Sequence, residues 1–178
     1  MKFEDLRLKM LKSGNVPYFK NIPAATRYQR TENFSRSELS NEINKFGVHL
    51  SSGQSIFHGG DFTKEDLPLF SDHPISTTFN PTIAIWHAYN AGIAKWNPEI
   101  TKKPLPPKNP TILIINLSIK LKKKAIVFRH GGPSMADEME ALFDVGCKII
   151  PIHSFFYEGY MKVKIIIANI EGTDSFDE

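Results

Sequence analysis

Two glutamates separated by one residue, Glu138 and Glu140, have the spacing in this chain that points most directly to chemistry. In an extended strand side chains alternate, so both carboxylates would lie on one face with Cα atoms about 7 Å apart. Two such acids could stabilise an oxocarbenium cation at a sugar anomeric carbon and take a proton from an acceptor, as the paired acids of glycosidases do. In a helix the side chains would diverge by about 200° and form an ordinary solvated face. Both alternatives remain open at this point.

A histidine and two glycines follow an apolar segment, Gln54–Phe57, that has the composition of a strand. His58 would project at the end of this strand, with two ring nitrogens available for hydrogen bonding. Gly59 and Gly60 lack side chains, so a ligand could approach their backbone closely. The plainer alternative is a strand that runs into a turn and carries an incidental histidine.

Three consecutive hydroxyl side chains, Ser76, Thr77 and Thr78, end a second strand-like segment and precede an aromatic residue, Phe79. The hydroxyls could hold polar groups of a ligand, and the ring could cover a planar group. The alternative is purely structural. Thr is common in strands, and Ser and Thr are common where a chain approaches a helix.

Helical patterns dominate the part of the sequence that precedes these segments. A first helix is predicted over residues 3–11, ended by Gly14, and a loop that contains Pro17, Pro23 and several polar residues is predicted from there to Ser35. The segment Ser35–Glu38 has the Ser-x-x-Glu form of a capping box and predicts a second helix, which Gly47 would end.

From Gly53 onwards, short apolar runs rich in Ile, Val and Thr alternate with turns, which predicts strands. One helix interrupts them, because Asn80 is a good N-cap, Pro81 suits the first helical position and the pattern continues through Lys95. Helices followed by a mostly antiparallel sheet indicate an α+β fold rather than a doubly wound one. The predicted strands are Gln54–Phe57, Pro74–Thr78, Thr111–Ile119, Ala125–Arg129, Cys147–Ile152 and Met161–Ile170.

The composition is that of an ordinary globular protein: 178 residues, of which 41% are hydrophobic and 23% charged, which argues against a fibrous or disordered chain. The one cysteine, Cys147, excludes an internal disulfide framework, and the histidines are scattered without acidic partners, so no metal site is predicted. No apolar run approaches the roughly 18 residues that span a bilayer, and the N-terminus lacks a signal-peptide core. The sequence therefore predicts a cytoplasmic protein with no membrane partner.

The net charge of +3 conceals an uneven distribution of charge. Residues 101–130 carry lysines and an arginine but no acid, whereas residues 171–178 carry acids but no base. The basic stretch could contact the phosphates of a nucleic acid, because such binding is mainly electrostatic. A solvated turn between two strands is the alternative.

The order of the three segments, strand-His-Gly, strand-Ser-Thr-Thr and Glu-x-Glu, resembles the ADP-ribosyltransferase family, which includes mono-ADP-ribosylating toxins and phage modifying enzymes. The similarity covers Gln54–Ile170, and Glu138–Ile149 is its most specific part. It implies an α+β split β-sandwich with N-terminal helices. The expected organisation is a single domain over 1–178, with a helical region at 1–50, a β-rich catalytic core at 51–170 and an acidic tail at 171–178.

The same resemblance implies roles for individual residues. Glu140 would be the catalytic glutamate, which bonds the nicotinamide ribose of NAD+ and favours loss of nicotinamide. Glu138 would be the upstream glutamate that activates the acceptor, and Ser76 would orient Glu140. The residues implied to bind NAD+ are His58, Gly59, Ser76, Thr77 and Phe79, with the backbone of Gly59 on the nicotinamide amide and the ring of Phe79 facing the nicotinamide.

His58 departs from the pattern of the ADP-ribosyltransferase family that the chain resembles. A Ser-Thr-Ser strand with Glu-x-Glu usually accompanies an arginine at the end of the first strand, whereas a histidine there is typical of the branch with a tyrosine in the second strand. The chain therefore resembles a hybrid, His–Ser–Glu. Histidine is shorter than arginine and not always charged, so it would neutralise a pyrophosphate less well.

The resemblance implies a mono-ADP-ribosyltransferase that moves ADP-ribose from NAD+ to a macromolecular acceptor, either a protein side chain, arginine first, or a nucleic acid. Such an enzyme would be an intracellular toxin, effector or phage modifier, working in the cytoplasm of its own cell or of a host, with an antitoxin or inhibitor protein as a candidate partner. Two alternatives remain open. One is a non-catalytic basic module that binds RNA or an acidic protein, and the other is a structural domain in which the three segments coincide by chance.

Overall fold

The structure is a computed structural model. It describes residues 17–31, 33–50, 53–61, 69–70, 72–90, 110–117, 121–128, 139–159 and 162–172. The helix predicted over 3–11, Glu138, most of the bases of residues 101–130 and the tail beyond Gly172 lie outside the described residues.

Helices and strands follow one another in the order of an α+β chain. The helices are α1 (Pro23–Thr31), α2 (Arg36–Phe46) and α3 (Pro81–Asn90), with a short 3-10 turn at Phe19–Asn21. The strands are β1 (Ser55–Asp61), β2 (Leu69–Phe70), β3 (Ile75–Thr78), β4 (Pro110–Leu117), β5 (Ala125–Val127), β6 (Glu140–Phe143), β7 (Lys148–Glu158) and β8 (Lys162–Glu171).

The described strands form one mixed sheet in the order β2-β7-β8-β4-β1-β3-β6-β5. Strands β4 and β8 run parallel, and the other neighbours run antiparallel. Strand β1 pairs with β4 along its whole length but meets β3 at Phe57 opposite Thr78, so the sheet divides into two parts at this short junction. The predicted α+β class is confirmed.

Each part of the sheet is covered by different helices. Helices α1 and α2 bury apolar side chains such as Leu39 and Ile43 against Ile126 and Leu142 of β5 and β6. Helix α3 packs its small residues against β1, β4 and β8. Burying a large aliphatic side chain stabilises the fold by about 1.5–3 kcal/mol, so both helical layers are held mainly by apolar contact. None of the helices in the described ranges combines the length and apolar character needed to cross a membrane.

Helix α1 occupies a segment in which the sequence predicted a loop, so that prediction was wrong. Pro23 stands at the first helical position, where its missing N–H costs nothing. The next two N–H groups, of Ala24 and Ala25, donate to the carboxylate of Glu42 in α2 at 2.8 and 2.9 Å. A carboxylate at a helix N-terminus also interacts favourably with the helix dipole. The cap therefore comes from a distant residue, which a local pattern cannot reveal.

Helix α2 begins where it was predicted, but its predicted capping box does not form. The side chain of Ser35 makes no bond to the helix N-terminus, and its hydroxyl lies 3.2 Å from that of Ser37. Glu38 pairs instead with Arg27 of α1. Both partners are largely exposed, so this ion pair contributes little stability.

The predicted end of β1 needs correction. Strand β1 does not end at Phe57 but continues to Asp61, because β4 pairs with it over that length; His58 therefore lies inside the strand. The segment that begins at Glu140 is extended. The paired-acid interpretation also needs an extended backbone at Met139, but the φ of Met139 is 50°, and Glu138 lies outside the described residues, so the pairing of the two acids stays a prediction. The predicted N-cap of α3 is confirmed, since the N–H of Thr82 donates to Asn80 Oδ1 at 3.0 Å. The predicted continuation of that helix to Lys95 falls outside the described residues.

Candidate active site

Glu140 is a buried acid at the start of β6, with 4% of its surface exposed. Met139 directly before it has a left-handed backbone, with φ at 50°. The carbonyl of Met139 accepts a hydrogen bond of 3.1 Å from the N–H of Phe79. After this turn the chain enters β6, where Glu140 pairs with Thr78 of β3. The pairing of β3 and β6 therefore sets the position of the acid.

Both carboxylate oxygens of Glu140 accept a hydrogen bond from a side chain. The hydroxyl of Ser76 in β3 donates to Oε1 at 2.6 Å. The amide Nε2 of Gln29 in α1 donates to Oε2 at 2.8 Å. One donor on each oxygen fits an ionised carboxylate and sets its plane. The structure thus brings the predicted pair Ser76 and Glu140 together and adds a residue that the sequence analysis did not identify.

His58 is connected to the same group through the backbone. Its Nδ1 lies 2.6 Å from the carbonyl oxygen of Ser76. A carbonyl only accepts, so Nδ1 carries the proton and Nε2 is an acceptor in the neutral ring. Burial lowers the pKa of His58, and the charge of His87 acts in the same direction, while the bond to Ser76 opposes them. The ring is therefore held in its neutral form, unlike an arginine at this position.

The pKa of His58 predicts how stability depends on pH. Because the folded-state pKa lies below the ordinary value of 6.5, the unfolded chain takes up a proton that the folded chain resists. We expect the free energy of unfolding to fall as the pH drops below about 6.5. Urea unfolding between pH 5 and 7 measures this slope. His58→Asn, which keeps an N–H donor, should flatten it, whereas the exposed His153→Asn should not. Equal slopes for His58→Asn and the wild type would contradict the assignment.

Two further predicted residues direct their side chains into the structure rather than to the Glu140 carboxylate. The hydroxyl of Thr77 donates to the carbonyl of Ala141 at 2.7 Å in a buried cross-strand bond. Phe79 has 2% of its surface exposed and belongs to the main core cluster, with Ile56 among its other members. Contacts of these two side chains with NAD+ stay a prediction.

Gly59 lies where helix α3 crosses β1. A Cβ atom added to it would stand 1.8 Å from the carbonyl oxygen of Ala84, far inside contact distance. Gly59 therefore has to lack a side chain because α3 packs directly against its backbone on that side. The sequence had suggested that a ligand approaches this backbone instead. Any role of the Gly59 backbone in binding NAD+ stays a prediction.

Lysines at the described end of the basic stretch have intramolecular partners. Lys123 is buried, and its Nζ donates to the carbonyl of Val145 at 2.7 Å. The Nζ of Lys124 donates to the carbonyl of Asn44 at 2.8 Å. These two cations support the fold, which weakens the argument that the whole stretch is a phosphate-binding surface.

Comparison with known proteins supports the architecture described above. No family model matches the chain, and no curated protein matches it in sequence. The chain nevertheless has the fold of the mono-ADP-ribosyltransferase toxins, as the order of its motifs predicted. One similar structure is Plx2a, an ADP-ribosyltransferase toxin from Paenibacillus larvae, with a TM-score of 0.51 and 12% identity over 95% of this chain and 94% of that one. Another is the ADP-ribosyltransferase Vis of Vibrio splendidus in complex with agmatine, with a TM-score of 0.51 and 12% identity over 97% of this chain and 84% of that one.

Proposed function

We propose that this protein is a mono-ADP-ribosyltransferase that transfers ADP-ribose from NAD+ to a macromolecular acceptor. One observation carries the proposal: a buried carboxylate, Glu140, is held by two side-chain donors at the paired ends of β3 and β6, within an ADP-ribosyltransferase fold. Burying a carboxylate is costly unless donors compensate for the lost water, so an arrangement that holds one in place with two donors suits a site that acts on positive charge.

The proposed reaction makes positive charge at the sugar. The bond between the ribose anomeric carbon and the nicotinamide nitrogen breaks, and its electron pair neutralises the pyridinium, which leaves as nicotinamide. The ribose that remains is an oxocarbenium cation. Glu140, fixed before the substrate arrives, stabilises that cation more than the ground state in a site of low dielectric constant. The acceptor nitrogen then forms a bond to the anomeric carbon and gives up a proton, for which Glu138 is the proposed base.

The neutral ring of His58 suits a hydroxyl rather than a phosphate. Its Nε2 would accept a hydrogen bond from a ribose hydroxyl while Nδ1 stays on the carbonyl of Ser76. A neutral imidazole does not offset the charge of the pyrophosphate, so we propose that another cation, such as one of the remaining bases of residues 101–130, does so.

An arginine side chain is the proposed acceptor. The similar protein Vis is known in complex with agmatine, which carries the guanidinium group of arginine. Glu-x-Glu is the arrangement that the resembling family uses for arginine. We place the reaction in the cytoplasm of the producing or a target cell, where NAD+ and such acceptors occur, and an antitoxin or inhibitor would then protect the producer.

Labelled NAD+ incubated with a cell lysate and this protein identifies the acceptor class. We expect the label to survive nuclease digestion and to be lost on protease digestion, with mass spectrometry placing ADP-ribose on arginine. The Glu140→Gln protein in the same lysate measures background labelling. Label lost to nuclease would overturn the protein acceptor in favour of a nucleic acid, and no enzyme-dependent label or nicotinamide release would overturn the proposed activity.

A further inference from the structure

Packing alone does not explain why a glutamine occupies position 29. It stands near the end of α1, 111 positions from Glu140 in the sequence, and its Nε2 donates to Glu140 Oε2 at 2.8 Å. Its other polar atom, Oε1, is buried and has no hydrogen-bond partner within the part of the chain that the structure describes. An unsatisfied buried carbonyl is unfavourable, and a methionine of the same length would avoid it.

The orientation of the amide follows from the charge that it faces. Rotation by half a turn would exchange the two polar atoms and place the carbonyl oxygen of Gln29 against a carboxylate oxygen of Glu140. That contact is repulsive, because both oxygens only accept. In the observed orientation Nε2 of Gln29 donates to Glu140, and Oε1 of Gln29 is left without a partner among the described residues. The bond to the carboxylate is therefore the interaction that accounts for a glutamine at this position.

Helix α1 is itself held firmly enough to hold Gln29 in place. Its first N–H groups are capped by Glu42 of α2, and Ala24 and Ala25 are buried in the cluster beneath α1 and α2. Tyr28, beside Gln29 in the helix, donates its hydroxyl to the carbonyl of Pro74 at 3.0 Å, next to the start of β3. The helix is thus tied to the strand that carries Ser76.

We propose that Gln29 is a positioning residue for the catalytic carboxylate of Glu140, acting on Oε2 as Ser76 acts on Oε1. This inference rests on the proposed function. With one donor on each oxygen, rotation of the carboxylate about its last bond is restricted before NAD+ binds. A preorganised charge stabilises a transition state without paying for reorientation during the reaction.

Gln29→Met tests the inference, because it keeps the length of the side chain and removes both the donor and the unpartnered carbonyl. We expect kcat for nicotinamide release to fall about 10- to 100-fold, the range found when the outer partners of metal-site residues are removed. KM for NAD+ should change little. The rate is compared per folded molecule, because the buried carboxylate loses a donor and the Tm is expected to fall. The same substitution at Gln54, which lies before β1, should leave kcat and KM unchanged. A purely structural role for Gln29 predicts a lower Tm with an unaltered kcat per folded molecule, and that result would overturn the inference.

Gln29→Glu adds a pH readout that packing would not produce. Two carboxylates in contact share one proton, and the second proton is lost only at higher pH. When one of them is protonated, the variant still has a donor for the other carboxylate. We expect its kcat to be greatest in mild acid and to fall as the pH rises, whereas wild-type kcat should not decline over that range. An unchanged pH profile would count against the inference.

Different results would overturn the proposed function and the role of Gln29. If the wild-type protein neither binds NAD+ nor releases nicotinamide, the proposed function is wrong, and the inference about Gln29 fails with it. If the wild type is active and Gln29→Met matches its kcat, the inference alone is overturned.

Discussion

Replacing Glu140 by glutamine is expected to lower the rate of nicotinamide release from NAD+ about 1,000-fold, the upper end of the effect of removing one preorganised electrostatic group. The substitution keeps the size of the side chain but removes the negative charge that we propose to stabilise the sugar cation. Because the charge matters most in the transition state, we expect kcat to fall much more than NAD+ affinity. Nicotinamide release and a thermal shift with increasing NAD+ measure the two quantities separately.

Glu158→Gln is the matched control for this experiment. It makes the same chemical change at an exposed acid near the end of β7, and it should leave the rate unaltered. If Glu140→Gln retains full activity, Glu140 is not the catalytic acid. If the wild type has a biological effect that survives Glu140→Gln, the non-catalytic binding module becomes the better description.

Replacing Gly59 by alanine is expected to lower the free energy of unfolding substantially. The new Cβ would overlap the carbonyl oxygen of Ala84 in α3, which is backbone and cannot move away by changing a rotamer. Overpacking of this kind costs about 3 kcal/mol or more when the neighbour is rigid. We expect a corresponding fall in the free energy of unfolding, measured by urea denaturation.

Gln54→Ala is the control for the effect on stability, because Gln54 precedes the same strand and is only partly buried. If Gly59→Ala folds with wild-type stability, α3 does not pack on β1 as described. If it is destabilised yet retains the wild-type rate per folded molecule, helix packing rather than substrate contact accounts for the glycine. A stable protein with weaker NAD+ binding would support the role that the sequence analysis assigned to the Gly59 backbone.

The neutral His58 makes the proposed site different from one built around arginine. Burial lowers the pKa of His58 and so keeps the ring uncharged, even though the hydrogen bond to the carbonyl of Ser76 acts in the opposite direction. His58 therefore connects β1 to the Ser76–Glu140 pair without adding a cation to the site. Binding of the pyrophosphate would then depend on bases elsewhere in the chain, and its affinity should decrease with ionic strength if these bases are exposed.

Features that depend on local chemistry could be predicted from the sequence. Asn80 caps its helix because its own side chain reaches the N–H of Thr82. Gly47 follows the last residue of α2, and its N–H bonds the carbonyl of Ile43. The Ser76–Glu140 contact was also anticipated, because the order of the motifs resembled a family in which a serine orients the glutamate.

Features that depend on distant parts of the chain could not be predicted in this way. Glu42 caps helix α1 from another helix, so the residues of α1 alone predict a loop. Gln29 was missed for the same reason, since nothing in its neighbourhood indicates an acid 111 positions away.

The amino-acid sequence by itself determined the α+β class and the strand character around Ser76, because alternation and turn residues are local properties. The role of Glu140 was implied by the family resemblance and stays a prediction. Only the tertiary structure showed that Gln29 donates the second hydrogen bond to Glu140, that α3 packs against Gly59 and that burial keeps His58 neutral. These outcomes depend on which surfaces meet and which groups lose water when the chain folds, and neither is encoded in the spacing of neighbouring residues.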